Sequence, residues 1–170
     1  STKMNNCLIK CINKKDIIYF MCLFLSVIII MNRDDAINMI VSSNYPSLII
    51  YNCFFIWLFK KNLVIQKINN FIIKRKKYNS FIKQIFLSNI CLGISFSIIF
   101  SIFMLNYSTG IKNGTMSILV YYMVIYTLII GIGSLIISFQ SIVDKNMLCL
   151  FVPIAIQLTF HYYFVSIYFV

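Results

Sequence analysis

The sequence predicts an all-α integral membrane protein: a bundle of about five transmembrane helices with an N-terminal interfacial helix and a cytoplasmic amphipathic helix. Three observations predict this fold class. Of the 170 residues, 61% are hydrophobic and 11% are charged, and the mean hydropathy is +0.89. Apolar runs recur at roughly the twenty-residue length that an α-helix needs to cross a bilayer. Basic residues concentrate between some of these runs, as they do in the cytoplasmic loops of membrane proteins.

The N-terminal region contains a short amphipathic stretch and then the first apolar run. Residues 5–14 place Leu8, Ile9 and Ile12 on one helical face, which predicts an interfacial helix on the membrane surface. The first span is predicted at about residues 16–32. Its apolar part would be only about 22 Å long as a helix, so it needs its flanks or a thinner bilayer to cross. No small-residue cleavage site follows, which indicates a retained helix rather than a signal peptide.

Four further apolar runs complete the predicted bundle. Within the second run, Pro46 either kinks a long helix or begins a shorter one at Ser47. Trp57, followed by Lys60 and Lys61, indicates a membrane–water interface. The predicted spans are about 40–59, 85–105, 116–139 and 147–170.

The segment 60–84 is predicted to be a cytoplasmic loop that contains an amphipathic helix. Val64, Ile65, Ile68 and Ile72 recur at helical spacing, while lysines such as Lys67 occupy other faces. This loop also sets the predicted orientation. With the N-terminus inside, thirteen of the fifteen Lys and Arg lie in inner segments and two, Arg33 and Lys112, in outer ones. The excess of inner positive charge predicts a multi-pass protein of the cell membrane with a cytoplasmic N-terminus, and we expect a bacterial plasma membrane.

The stretch FIIKRKKYNSFIKQ, residues 71–84, holds a third of the basic residues and has three interpretations. A nucleic-acid patch is disfavoured, because neither a soluble fold nor a recognisable reading element accompanies it. The charges can instead fix topology and attract anionic membrane lipid. They can also belong to a helix that docks on a partner protein. The last two alternatives stay open.

The order of segments resembles the permease subunits of type-2 ABC exporters, including those of bacteriocin or peptide export and immunity systems. Residues 5–14 match the family's elbow helix and residues 63–77 its coupling region. IIKRKKYNSFIKQ is similar to the basic, aromatic-containing segment ahead of the third span in some of these permeases. One departure is that the family usually has six spans with both termini inside, whereas this sequence predicts five.

The resemblance implies a membrane subunit that exports a hydrophobic or cationic peptide, or a lipid-like substrate. It implies two partners, an ATP-binding subunit that supplies the energy of ATP and a second permease copy or paralogue. This chain would bind no cofactor directly. The candidate residues for docking the ATPase are Val64, Ile65, Ile68, Lys74, Arg75, Lys76 and Lys77.

Polar residues inside the predicted spans are candidates for a substrate path. Gln157 and His161 are four residues apart and so share a helical face. Small residues at four-residue spacing allow helices to approach closely. Each residue has an alternative role in helix packing or in hydrogen bonds across the bundle, and both interpretations stay open. The candidates are Asn52, Asn89, Ser97, Ser101, Ser134, Gln157 and His161.

Motifs for catalysis are missing from the sequence, which predicts a non-enzyme. No phosphate-binding glycine loop or carboxylate pair occurs, and the six cysteines have no zinc-site spacing. A membrane cysteine peptidase would need a Cys and a His on one face. Cys149 and His161 are twelve residues apart, or about 18 Å along a helix. The alternative to an exporter is a small immunity or accessory protein that binds a partner within the bilayer.

Overall fold

The computed structural model describes residues 14–72, 78–111, 115–143 and 146–169, with side chains for all of these except 68–72, 78 and 168–169. Two predicted features therefore lie outside the described residues: most of the interfacial helix 5–14, and the basic run Lys74–Lys77. The chain divides into two compact units, Ser1–Asn32 and Arg33–Val170. Each unit is described by itself.

The described part of the first unit, residues 14–32, contains one helix, α1, Lys14–Ile30. Its 17 residues form a helix of about 25 Å, which is shorter than the hydrocarbon core of an ordinary bilayer. Large apolar side chains such as Ile17 and Ile29 are exposed on it. The first predicted span thus coincides with a helix, and its crossing of the membrane stays a prediction.

The second unit contains four helices that are long and apolar enough to cross a membrane. The described residues are otherwise loops and short helical turns, without a β-strand. The all-helical fold class is therefore confirmed for the described residues, with four candidate spans rather than five. These helices are α2, Tyr51–Ile72; α3, Tyr78–Tyr107; α4, Met116–Ser138; and α5, Leu148–Phe169.

The second apolar run is interrupted before α2 begins. Two π-helical turns, Asn38–Ser42 and Pro46–Ile50, are separated by Ser43 in an extended conformation. We call residues 38–50 the interrupted segment. Pro46 lies at the first turn of the second π-helix, where its missing N–H costs nothing. Of the two roles predicted for Pro46, the structure therefore shows the second: Pro46 begins a helix. This helical run continues into α2.

The predicted loop 60–84 is largely helical in the structure. α2 continues to Ile72 and α3 begins at Tyr78, so the expected loop is divided between two long helices. The physical reason is that α2 contains neither Gly nor Pro, the two residues that most often end a helix. The amphipathic pattern noted above belongs to the last three turns of α2.

At one end of the second unit, residues 33–36, which precede the interrupted segment, are bonded to the connection between α3 and α4. The backbone N–H of Ala36 donates to the Gly110 carbonyl at 2.9 Å. Arg33 donates from Nε to the Tyr107 carbonyl at 2.8 Å, and its guanidinium lies 5.4 Å from the Tyr107 ring centroid. We call this the Arg33 end.

The opposite end joins α2 to the α4–α5 connection. Gln66 donates from Nε2 to the Val143 carbonyl at 2.8 Å. We call this the Gln66 end. The segments that the charge count assigned to one side of the membrane therefore lie at one end of the unit. Which end faces the cytoplasm stays a prediction.

Aromatic rings and close helix contacts fill the core of this unit. Phe54 of α2 stacks on Phe96 of α3 with ring centroids 4.4 Å apart. α3 and α4 approach at Gly93, where an added Cβ would lie 2.9 Å from the Ser134 Cβ. The small residues predicted to permit close approach therefore do so at this crossing.

Candidate functional site

The candidate site is a buried row of polar side chains that runs between α4, α5 and the interrupted segment. Gln157 of α5 is fully buried. Its Nε2 donates to the Ser47 carbonyl at 2.8 Å and also bonds the Tyr126 hydroxyl of α4. An irregular backbone is tolerated at membrane depth only where protein groups satisfy it. Gln157 therefore stabilises the interrupted segment from the facing helix.

His161 lies one turn further along α5 and makes equivalent contacts. Its Nδ1 is 3.2 Å from the Tyr122 hydroxyl, and its Nε2 is 3.2 Å from Asn44 Oδ1. An amide oxygen can only accept, so Nε2 carries the hydrogen and Nδ1 accepts from Tyr122. Both ring nitrogens are bonded, and the neutral form is favoured because no carboxylate among the described residues partners the ring and an unpaired charge in a span is costly. Gln157 and His161 reach the same two elements, as their four-residue spacing predicts.

Three tyrosines that sequence reasoning did not select form the wall of this row. The rings of Tyr122 and Tyr126 stack with centroids 5.0 Å apart, and Tyr51 meets Tyr126 edge-on at 4.8 Å. The available signal was the four-residue spacing of Tyr122 and Tyr126 within an apolar run. Tyrosine is enriched at membrane–water interfaces, so this spacing was not interpreted as a buried polar row.

Ser97 and Ser101 belong to the α3 side of the same wall. Both side chains interact with the hydroxyl of Tyr51. Ser97 also lies 3.0 Å from the Thr127 hydroxyl of α4. Four of the predicted path residues, these two serines with Gln157 and His161, therefore surround the tyrosines. We call this set, with Tyr51, Tyr122 and Tyr126, the polar seam.

Asn89 lies in a separate cluster toward the Gln66 end. Its Nδ2 donates to Asn62 Oδ1 and to the Ser138 hydroxyl, both at 2.9 Å. All three side chains are buried, and they come from α2, α3 and α4. We call them the amide clamp, because one asparagine holds three helices together.

Two predicted path residues bond only to a carbonyl one turn earlier in the same helical run in the described contacts. Ser134 donates to the Ile130 carbonyl at 2.8 Å, and Asn52 donates to the Leu48 carbonyl at 2.7 Å. The structure does not bring either into the polar seam. Ser134 contributes by its small size, at the close contact with Gly93.

The candidate docking residues are described only in part. Val64 is 58% exposed on α2, and Ile65 is half-buried. The Ile68 side chain and Lys74–Lys77 lie outside the described residues. Nearby, the Lys61 ammonium lies 4.5 Å from the Trp57 ring centroid, a cation–π contact.

The chemistry available in the seam is neutral hydrogen bonding. Its members are hydroxyls, one amide and one imidazole, and they can bind a polar group or exchange partners with one. Among the described residues, no group of His, Cys, Asp and Glu could hold a metal ion. The described cysteines Cys22, Cys53, Cys91 and Cys149 form no disulfide, and His161 bonds Tyr122 and Asn44 instead of any of them.

Comparison with known proteins was made at the level of family, sequence and structure. No protein-family model, curated protein or solved structure matches this chain. The resemblance to type-2 exporter permeases therefore rests on segment order and one short basic stretch. Function has to be argued from the seam and from the helix that leaves it.

Proposed function

We propose that this chain is the membrane subunit of a multi-component ABC exporter for a hydrophobic or cationic peptide or a lipid-like substrate, driven by a separate ATPase subunit. The observation that carries the proposal is the interrupted segment. It interrupts the helical run directly before the candidate span, which begins at Pro46, and neutral side chains of the facing helix α5 hold it. Helices broken in this way occur in transporters at the place where substrate binds and the fold rearranges.

The contacts that hold the interrupted segment suit an element that moves. Gln157 and His161 bond it through neutral hydrogen bonds, which in membrane bundles contribute only about 0.6 kcal/mol each on average. Breaking such bonds leaves no unpaired charge in the bilayer. The seam therefore supports a switch between two arrangements at modest cost.

The connection between this segment and a partner would be α2. Its 22 residues run without a break from the interrupted segment to Ile72, about 33 Å at helical rise. An ATPase bound near the exposed Val64 could therefore displace the interrupted segment through one rigid helix. No acidic residue occurs between Lys60 and Lys83, so this end suits a partner with an acidic groove.

The alternative is a non-transporting immunity or accessory protein that binds a partner within the bilayer. The observation that favours it is the outward face of α4. Met116, Val120, Val124, Leu128 and Ile132 recur at every fourth position, and all are exposed. Such a stripe can contact another membrane helix as well as lipid.

Co-purification and export together test the proposal. We expect the intact protein, solubilised in mild detergent, to carry along a subunit with a phosphate-binding glycine loop. Replacing Lys74–Lys77 by four glutamates should weaken that association about tenfold or more, equivalent to at least about 1.4 kcal/mol. ATP-dependent export should fall in parallel.

The control for this change is Lys112→Glu, a charge reversal on the predicted outer loop, which should leave both readouts unaltered. A cysteine placed at Thr109 reports by labelling whether the orientation is preserved in each variant. If no nucleotide-binding subunit co-purifies and the reversal leaves export untouched, the exporter proposal is lost. Capture of a membrane protein through the α4 face would then support the alternative.

A further inference from the structure

A small cavity lies at the centre of the second unit, where the interrupted segment meets α2, α3 and α4. Its volume is about 10 Å³, which is space for about one water molecule. Five of the residues around it carry hydroxyl groups. They are Ser47, Tyr51, Ser101, Tyr122 and Tyr126.

The cavity separates two groups of hydrogen-bonded side chains. On one side, Tyr122 bonds His161 and Tyr126 bonds Gln157. On the other side, Tyr51 interacts with Ser97 and Ser101. The described hydrogen bonds connect residues within each group, and none of them crosses the cavity.

Gln157 lies next to the cavity without lining it. Its Oε1 is buried and has no hydrogen-bond partner among the described residues, while Nε2 bonds Ser47 and Tyr126, both at the cavity. Exchanging the positions of the amide oxygen and nitrogen would not give the oxygen a donor, because it would then face the Ser47 carbonyl, which is also an acceptor. Because Gln157 does not line the cavity, the case for a bound water rests on the surrounding hydroxyls.

We infer that the cavity binds a single internal water, which bridges the hydroxyls on one side of the cavity to those on the other. A water needs two to four polar partners, and the surrounding hydroxyls provide them. A cation fits the site poorly. The sequence contains no Asp or Glu between Ala36 and Val143, and an unpaired charge inside a bilayer is costly.

The water makes the polar seam continuous. It can exchange hydrogen bonds with either side, so the Ser47 region can shift without leaving a buried hydroxyl unpaired. The inference does not depend on the exporter proposal, since it concerns the seam in any function. On one side of the water, hydrogen bonds run from exposed Asn44 through His161 to Tyr122, and on the other side lies the hydroxyl of Tyr51.

An experimental map of the wild-type protein that resolves ordered waters is the direct test. We expect density for one water bonded to at least two of the surrounding hydroxyls. An empty cavity in such a map overturns the inference.

Two variants of Ser101 give a test whose sign depends on the water. In a hydrated cavity, Ser101→Ala leaves room for water to replace the lost hydroxyl, whereas Ser101→Val displaces the water. The alanine variant should then melt higher than the valine variant, by about 2–4 °C. In a dry cavity the order reverses, because alanine enlarges a void that valine fills.

The matched control is Ser95, which lies exposed on the same helix. The difference in melting temperature between Ser95→Ala and Ser95→Val gives the intrinsic helix preference of the two residues. This difference is subtracted from the one measured at Ser101. A corrected difference in favour of valine contradicts the bound water.

Discussion

Gln157 illustrates how one side chain stabilises a broken helix inside an apolar bundle. Its amide nitrogen bonds the Ser47 carbonyl and the Tyr126 hydroxyl, so two elements depend on one group. Its position on the face of His161 could be predicted from the spacing alone. Its partners could not, because Ser47 lies 110 residues away in the sequence and the bonds form only when α5 packs against the interrupted segment.

At the same scale, we predict that Gln157→Leu lowers the free energy of unfolding by about 1–2 kcal/mol, the upper range for hydrogen bonds in membrane bundles. The leucine fills the space but leaves the Ser47 carbonyl and the Tyr126 hydroxyl short of a partner. Gln84→Leu, on the exposed face of α3, is the matched control and should change stability little. Equal unfolding free energies for the two variants, measured in detergent, would remove the stabilising role of Gln157.

At the scale of elements, the contact between α3 and α4 depends on glycine. At Gly93, an added Cβ would lie 2.9 Å from the Ser134 Cβ and 3.2 Å from the Ile130 carbonyl oxygen. At Gly131, the nearest atom would be Ile94 Cγ1 at 3.2 Å, on a flexible side chain. The first contact involves backbone and cannot move without separating the helices.

We therefore predict that Gly93→Ala destabilises the protein by about 1–3 kcal/mol, the usual cost of overpacking. Gly131→Ala is the control on the facing helix. It should cost less, since a rotation of the Ile94 side chain makes room. Thermal unfolding of both variants tests the difference, and an equal loss would mean that the two helices do not approach as closely at Gly93 as described.

The helices themselves were predictable, whereas their interruptions were not. Four apolar runs correspond to α2 to α5, because hydrophobic length alone makes such runs helical in a bilayer. The sequence around Pro46 left a kink and a helix start as alternatives. The two π-helical turns became visible only in the fold, where Gln157 bonds the Ser47 carbonyl of the second turn and His161 bonds Asn44 between the turns. The loop predicted at 60–84 was longer than the structure has it, because hydrophilic residues on α2 were taken for the end of the helix.

At the scale of the whole molecule, the positions of the charges agree with the two ends of the second unit. Gln66 and Val143, assigned to the same side, meet at one end. Ala36 and Gly110, assigned to the other side, meet at the opposite end. The polar seam lies with the Arg33 end and the amide clamp with the Gln66 end. Among the described residues, α2 runs from the interrupted segment at the first end to the basic surface that begins at Lys60 and Lys61, toward the second end.

The central claim is that this basic surface binds an ATPase, and photo-crosslinking in intact cells tests it most directly. A photoreactive benzoylphenylalanine is placed at Val64, which is 58% exposed, and in a control at Ile167, which is 54% exposed on α5. The account predicts that position 64 crosslinks to a protein with a phosphate-binding glycine loop, identified by mass spectrometry. It also predicts that position 167 does not, and that charge reversal at Lys74–Lys77 abolishes the adduct. Only lipid adducts at position 64, unaltered by the charge reversal, would contradict the account.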